Sequence, residues 1–350
     1  MRQVIIHAGF PKTATTSIQI TCAKNQSKLE ELGLHYPRFL LNNRPIYNHS
    51  IPFISMFTAN PELYHINIRK KVNVDEANKK YEQQLNEILQ KKLKKIVISG
   101  EGISDLTKSE ISKMREKISS YGYGIRVIIF VRSPFSLYNS SLQQQIKSGR
   151  SIEIYKPPRI KNKIEKIISV FPEAEFHSFR DVCKHNHGPV GYFLSLIGVK
   201  NFSEIEFIYS NESLSNQAAR LISYINEKQP FWIKKTINPL RSQGDTNIFK
   251  EIKGDKFKLT SNELEKFKHT LDRTNEYLLE KFGAEFCDSK PYLPLEEENH
   301  NHWSEEQLEQ LKVAVSRIDN SGVLKGITYD YFKNIIKLDE EKLFHLGLAS

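Results

Sequence analysis

Three groups of residues in this chain have the types and spacing to handle a negatively charged, transferable group. The first is His7-Ala8-Gly9-Phe10-Pro11-Lys12-Thr13-Ala14-Thr15-Thr16-Ser17, one lysine followed by a run of hydroxyls. Between a strand and a helix, such a loop turns successive backbone N–H groups toward one spot, and the helix dipole favours negative charge there. The general phosphate loop GxxxxGK[ST] needs a glycine directly before its lysine, and Pro11 stands there instead, which disfavours an ordinary ATP or GTP site. A threonine-rich cap on an unremarkable helix is the plain alternative. The second group is Arg132, at the end of the apolar run Ile125–Val131, with Ser140 eight residues on, about two helical turns later. If a helix starts at Ser133, both side chains reach one phosphate. The third is Glu101 in Ser99-Gly100-Glu101-Gly102, where flanking glycines would admit a substrate closely and the carboxylate is placed to act as a general base. His49, in Tyr47-Asn48-His49-Ser50, is a rival or helper base, or a loop histidine that packs.

These groups need elements to position them. Val4-Ile5-Ile6, Lys95–Ser99, Ile125–Val131, Ala174–Phe179 and Ile205–Tyr209 read as strands, and Thr13–Leu32, Thr107–Ser120 and the stretch from Ser133-Pro134 read as helices between them. Alternating strands and helices predict an α/β protein with a mostly parallel sheet covered on both faces. Ligands of such sheets bind at the carboxyl ends of the strands, where all three groups fall. From about Lys234 the pattern changes: 237–256 has little periodicity, while Thr260–Phe282 and Ser304–Ile318 are helical. One domain over 1–350 is expected, with an α/β core over about 1–230 and helical additions over about 231–350. The segment Phe39–Val72 reads as irregular and available to an acceptor.

Composition closes off several classes. The 350 residues are 39% hydrophobic and 26% charged, which excludes a disordered or fibrous chain. Without a long apolar segment or a signal-peptide core, a cytoplasmic location is expected. Cys22, Cys183 and Cys287 lie far apart, which excludes a disulfide scaffold or a cysteine zinc knuckle. The i, i+2 pairs His185/His187 and His300/His302 lack further ligands and read as surface histidines, so no metal is expected. No GxSxG or HExxH motif supports a hydrolase. The net charge of +10 points to an anionic partner without naming it.

Pro11-Lys12-Thr13-Ala14-Thr15-Thr16 resembles the 5'-phosphosulfate loop of sulfotransferases that use 3'-phosphoadenosine 5'-phosphosulfate (PAPS), with Ala14 where that family has glycine. Arg132 and Ser140 match the family's 3'-phosphate motif in order and spacing. Ser141–Gly149, Leu32–Pro37, Asn211–Ser215 and Asn275 are weaker flanking likenesses to bacterial members. The resemblance implies a P-loop-NTPase-like sulfotransferase fold and sulfuryl transfer from PAPS to a hydroxyl or amine, on a carbohydrate, surface glycan or glycolipid. It implies cofactor contacts from Pro11, Lys12, Thr13, Ala14, Thr15, Thr16, Arg132 and Ser140, with Lys12 neutralising the leaving phosphate and Glu101 or His49 as base. No metal or nucleic acid enters this reading, and contact with a membrane surface is compatible with it. Two other readings stay open. A nucleotide-dependent kinase would need a Mg²⁺-binding carboxylate at a core strand end, where Arg132-Ser133-Pro134 stands. A non-catalytic polyanion binder would be indifferent to Lys12 and Glu101.

Overall fold

The computed structural model describes every residue except 1, 153–155, 210–212, 235, 243, 289–294, 297–300, 319–322 and 350. It is an α/β protein built around a five-stranded parallel sheet. The strands are β1 (Gln3–His7), β2 (Leu34–His35), β5 (Lys95–Ser99), β6 (Gly124–Val131) and β7 (Glu175–Ser178), in the spatial order β2-β5-β1-β6-β7. Two small antiparallel pairs complete the set: β3 (Phe39–Leu41) with β4 (Arg44–Ile46), and β8 (Trp232–Ile233) with β9 (Thr236–Ile237).

The chain divides into two compact units. The first comprises Met1–Pro134, Arg159–Ser210 and Thr274–Ser289, and holds the sheet. Its strands are apolar on both faces because helices cover both. Ile5, Val97, Ile128 and Phe130 pack with Ile18 and Cys22 of the helix Thr15–Lys24 and with Phe193 and Ile197 of the helix Gly188–Ile197. The alternate residues Ile6, Ile98 and Ile129 are equally buried. The helix Lys108–Ser119 opens with a capping box in which Thr107 and Glu110 satisfy each other's backbone N–H groups. It packs against the helix Ile160–Val170.

The second unit comprises Phe135–Pro158, Asn211–Arg273 and Lys290–Ser350. It is helical, with Ala218, Leu221, Ile222 and Ile225 of the helix Asn216–Lys228 at the centre of its core. The residues expected as helical additions supply much of it, but it also takes in residues from Phe135 onward, so its boundary in sequence is not a single point near 230. Helices form at Ser261–Phe282 and Glu305–Ser316, as their periodicity predicts. Among the described residues no helix is long and apolar enough to cross a membrane.

Local readings differ in four places. Ile205–Tyr209 forms no strand: its backbone is bonded by side chains of the first helical segment, Asn25 bridging Glu206 and Thr21 bridging Ile208, so its polar groups are met without a sheet. The expected helix Thr13–Leu32 is two, Thr15–Lys24 and Gln26–Glu31, divided at Asn25. Phe39–Val72 is largely ordered, holding the β3–β4 pair and the helices Ser50–Phe57 and His65–Arg69. Within 237–256 lies a 3₁₀ helix, Asp245–Glu251.

Candidate active site

In the first unit the chain leaves β1 toward β5 and β2, and leaves β6 toward β7, so the carboxyl ends of the adjacent strands β1 and β6 flank a topological switch point. Both proposed phosphate motifs begin there. The loop after β1 is anchored by the Ala8 amide donating to the Ile128 carbonyl (3.2 Å), and it is closed by the Thr13 hydroxyl donating to the Phe10 carbonyl (2.6 Å). Lys12 (φ 63°) and Ala14 (φ 62°) take left-handed backbone conformations, the alternation that gives a loop an anion-binding concavity. The helix follows at Thr15, and amides of a first helical turn have no acceptor within their own helix.

Thr15 presents a buried hydroxyl at the start of the helix. Its side chain is 3% exposed and its hydroxyl has no hydrogen-bond partner among the described residues. A buried hydroxyl without a partner is costly unless something else meets it. Gly9 is glycine because of this hydroxyl: a Cβ at position 9 would lie 2.2 Å from Thr15 Oγ1. Thr16 is exposed, and Pro11 is half-buried.

Arg132 directly follows β6, and its Nη1 donates to the Lys12 carbonyl (3.1 Å). Its guanidinium lies 5.5 Å from the centre of the Phe179 ring. Burial lowers its proton affinity, opposed by the nearby Cys183 and Asp288. Ser133 directly precedes the next helix; its hydroxyl donates to Asp288 Oδ1 (2.6 Å), and the Asp288 amide donates to Asn275 Oδ1 (3.1 Å). The helix begins at Pro134 and carries Ser140, half-buried, in the second unit. Ser140 is therefore not among the groups that the first unit assembles by itself.

Glu101 opens a 3₁₀ turn after β5. Burial raises its pKa above the ordinary carboxylate value, while Lys163 and Lys12 oppose the rise. Lys12 responds in the complementary sense: burial lowers its pKa, Glu101 pulls it back up and Arg132 pushes it down. The two side chains thus feel each other directly, and the carboxylate is of the kind that holds a proton more readily than usual. Lys163 is bridged to Asp105 (2.5 Å) and lies 5.9 Å from the centre of the Phe10 ring. The glycines beside Glu101 serve a neighbour. A Cβ at Gly100 would come within 2.7 Å of the Ser50 amide nitrogen and one at Gly102 within 2.3 Å of Ile54 Cδ1, so they let the turn seat against the helix Ser50–Phe57.

His49 does not fit the role of base. It is fully buried, its Nδ1 accepts from the Ser99 amide (2.9 Å) and its Nε2–H donates to the Pro37 carbonyl (2.8 Å). Both ring nitrogens are committed, and burial lowers its pKa to about 4. It is a tie between β5 and the Pro37 segment. Gln19, in the helix that leaves the cradle, adds a second tie: its amide nitrogen donates to the Ser99 carbonyl (3.0 Å) and to Asn48 Oδ1 (3.2 Å).

Lys163, Phe179 and Asp288 were not evident as site residues, and His7, which heads the loop motif, had no role of its own. His7 ends β1 with its Nδ1 3.0 Å from Ser99 Oγ, and burial drives its pKa to about 3, so it is a neutral floor to the cradle. The other three come from distant segments, and only the apolar-to-charged edge at Phe179-Arg180 after β7 offered a signal. Among the described residues no group of three or more His, Cys, Asp or Glu side chains is placed to hold a metal; His187 stacks on Phe207 instead, and His300 lies outside the described residues.

Comparisons with protein-family models, with curated proteins and with solved structures return no match, so the site has to be read from its own chemistry.

Proposed function

We propose that the chain is a sulfotransferase of P-loop-like fold, acting in the cytosol, that moves a sulfuryl group from PAPS to a hydroxyl or amine on a carbohydrate-type acceptor. One observation carries the reading: a left-handed loop with an orphaned, buried Thr15 hydroxyl stands beside Lys12, and Lys12 is coupled to a carboxylate of raised proton affinity. An anionic oxygen in the cradle would satisfy Thr15, so the residues present fit a phosphosulfate. The donor supplies an activated sulfuryl group; everything else falls to this chain. Lys12, the loop and Thr15 hold the bridging phosphate and take up the charge that grows on it as the sulfur–oxygen bond breaks. Glu101 receives the proton of the acceptor group as the new bond to sulfur forms. Arg132 would bind the 3'-phosphate, with Phe179 as an apolar neighbour for the adenine. A kinase fits less well, because the end of β6 offers Arg132-Ser133 where a metal-binding carboxylate would be needed.

Thermal unfolding tests this. A ligand that binds only the folded chain raises its melting temperature. Adenosine 3',5'-bisphosphate should do so, Arg132→Ala should remove the rise, and ATP with Mg²⁺ should give less. No rise with the bisphosphate, or a larger one with ATP, overturns the assignment.

A further inference from the structure

The second unit carries a feature unrelated to phosphate chemistry. The hairpin of β8 and β9 pairs Trp232 with Ile237 and Ile233 with Thr236, leaving a two-residue connection at 234 and 235. Trp232, Ile233 and Ile237 are 47%, 45% and 46% exposed, and Leu240, three residues on, is 59% exposed. A hairpin normally keeps one face on a core, whereas here residues of both faces are open to solvent. Two-residue turns favour Asn-Gly because left-handed backbone suits those residues. This turn reads Lys234-Lys235, and Lys234 sits at φ 46°, an unfavourable conformation for a long side chain. Lys235 itself lies outside the described residues.

The base of the hairpin is firmly built. The Asn238 amide donates to the Phe231 carbonyl (2.9 Å), its side chain donates to the Pro230 carbonyl (2.8 Å), and the Trp232 indole N–H donates to the Ser148 carbonyl (3.0 Å). Beneath it Arg241, 5% exposed, donates to the Gln229 carbonyl (2.6 Å), is ion-paired with Asp245 and lies 5.6 Å from the centre of the Phe231 ring. The exposed apolar side chains are thus presented on a fixed support. Between Gln229 and Gly244 the sequence has no Asp or Glu.

The geometry points to a membrane-contacting hairpin that inserts Trp232, Ile233 and Ile237 into the interfacial region of an anionic lipid surface, with the lysine tip on the headgroups. Indole is favoured at the boundary of headgroup and acyl chain, and lysines near an anionic leaflet add attraction that salt screens. A protein partner is the weaker fit, since stable protein interfaces engage about 20–30 residues a side and this protrusion offers few.

Trp232 is also the reporter, because the other tryptophan, Trp303, is buried at 8% exposure. Full-length chain is mixed with vesicles of phosphatidylcholine alone or with added phosphatidylglycerol, and emission wavelength and co-sedimentation are read. A blue shift and sedimentation with the anionic vesicles, weak with the neutral ones and falling as salt rises, are expected. Lys234→Glu with Lys235→Glu should weaken partition about tenfold or more. Trp232→Ser with Ile237→Ser should reduce it to background; should that pair unfold the chain, the Lys234→Glu, Lys235→Glu pair decides alone. Absence of vesicle binding, or binding that the lysine pair does not change, overturns the proposal. So does self-association that the Trp232→Ser, Ile237→Ser pair abolishes.

Discussion

Lys12 and Lys234 both sit in turns and both hold left-handed backbone, at φ 63° and 46°. Around Lys12 the chain has arranged a second cation, a carboxylate and an orphaned hydroxyl, and burial has altered its proton affinity. Around Lys234 it has arranged exposed apolar side chains. The same residue type in the same backbone state therefore sits among fixed, charged neighbours in one place and among open apolar ones in the other. Burial and fixed neighbours make the difference, since buried charges are screened less than open ones.

Glu101 tests the selective half most severely. Glu101→Gln should retain bisphosphate binding and lose transfer by about 10²- to 10⁴-fold, measured with labelled donor. A raised carboxyl pKa means that the folded chain holds this proton more tightly than the unfolded chain, so Glu101's contribution to stability falls as pH rises from the ordinary carboxylate value to its own. The glutamine variant should thus melt higher than the parent at neutral pH, and the parent's activity should fall away on the acid side at a pH above the ordinary glutamate value. Lys12→Ala should reduce transfer by about 10²- to 10³-fold. Lys234→Ala should leave transfer to a soluble acceptor unchanged, and an equal effect of both would erase the contrast drawn above.

The next effect concerns stability. His49→Ala removes two buried hydrogen bonds and strands the Ser99 amide and the Pro37 carbonyl, a loss of roughly 2–4 kcal/mol in chemical denaturation. Transfer per folded molecule should persist. The smallest effect is at the cradle itself. Ala14→Gly relieves a left-handed alanine, worth about 1–2 kcal/mol, but adds freedom to the unfolded chain worth about 0.4–1 kcal/mol. A gain of some tenths of a kcal/mol, with bisphosphate binding equal or tighter, is expected by thermal unfolding.

Much of the first unit was legible because its signals are local. The apolar runs of β1, β5 and β6 and the punctuation after them put Lys12, Glu101 and Arg132 at one edge of one sheet before any coordinates. β2, two residues long, is too short to leave a pattern, and Ile205–Tyr209 has a strand's composition but gives its hydrogen bonds to Asn25 and Thr21. The partners of the site were not legible. Asp288 reaches Ser133 across a sequence separation of 155, Lys163 acts on Glu101 from another helix, and no motif ties such positions together. His49 left two readings open, helper base or packing histidine, because its residue type advertises proton transfer; its two buried hydrogen bonds favour the packing one.

Gln19 spans from the helix behind the cradle to the carbonyl of Ser99, two residues before Glu101. One side chain therefore works as a length gauge between the helix that follows the β1 loop and the turn that carries Glu101. It acts beside the Gly100 amide, which donates to the His7 carbonyl (3.0 Å), so the ends of β1 and β5 are tied by backbone and side chain together. The spacing between the β1 loop and Glu101 is then set in part by covalent side-chain length and in part by the pairing of β1 with β5.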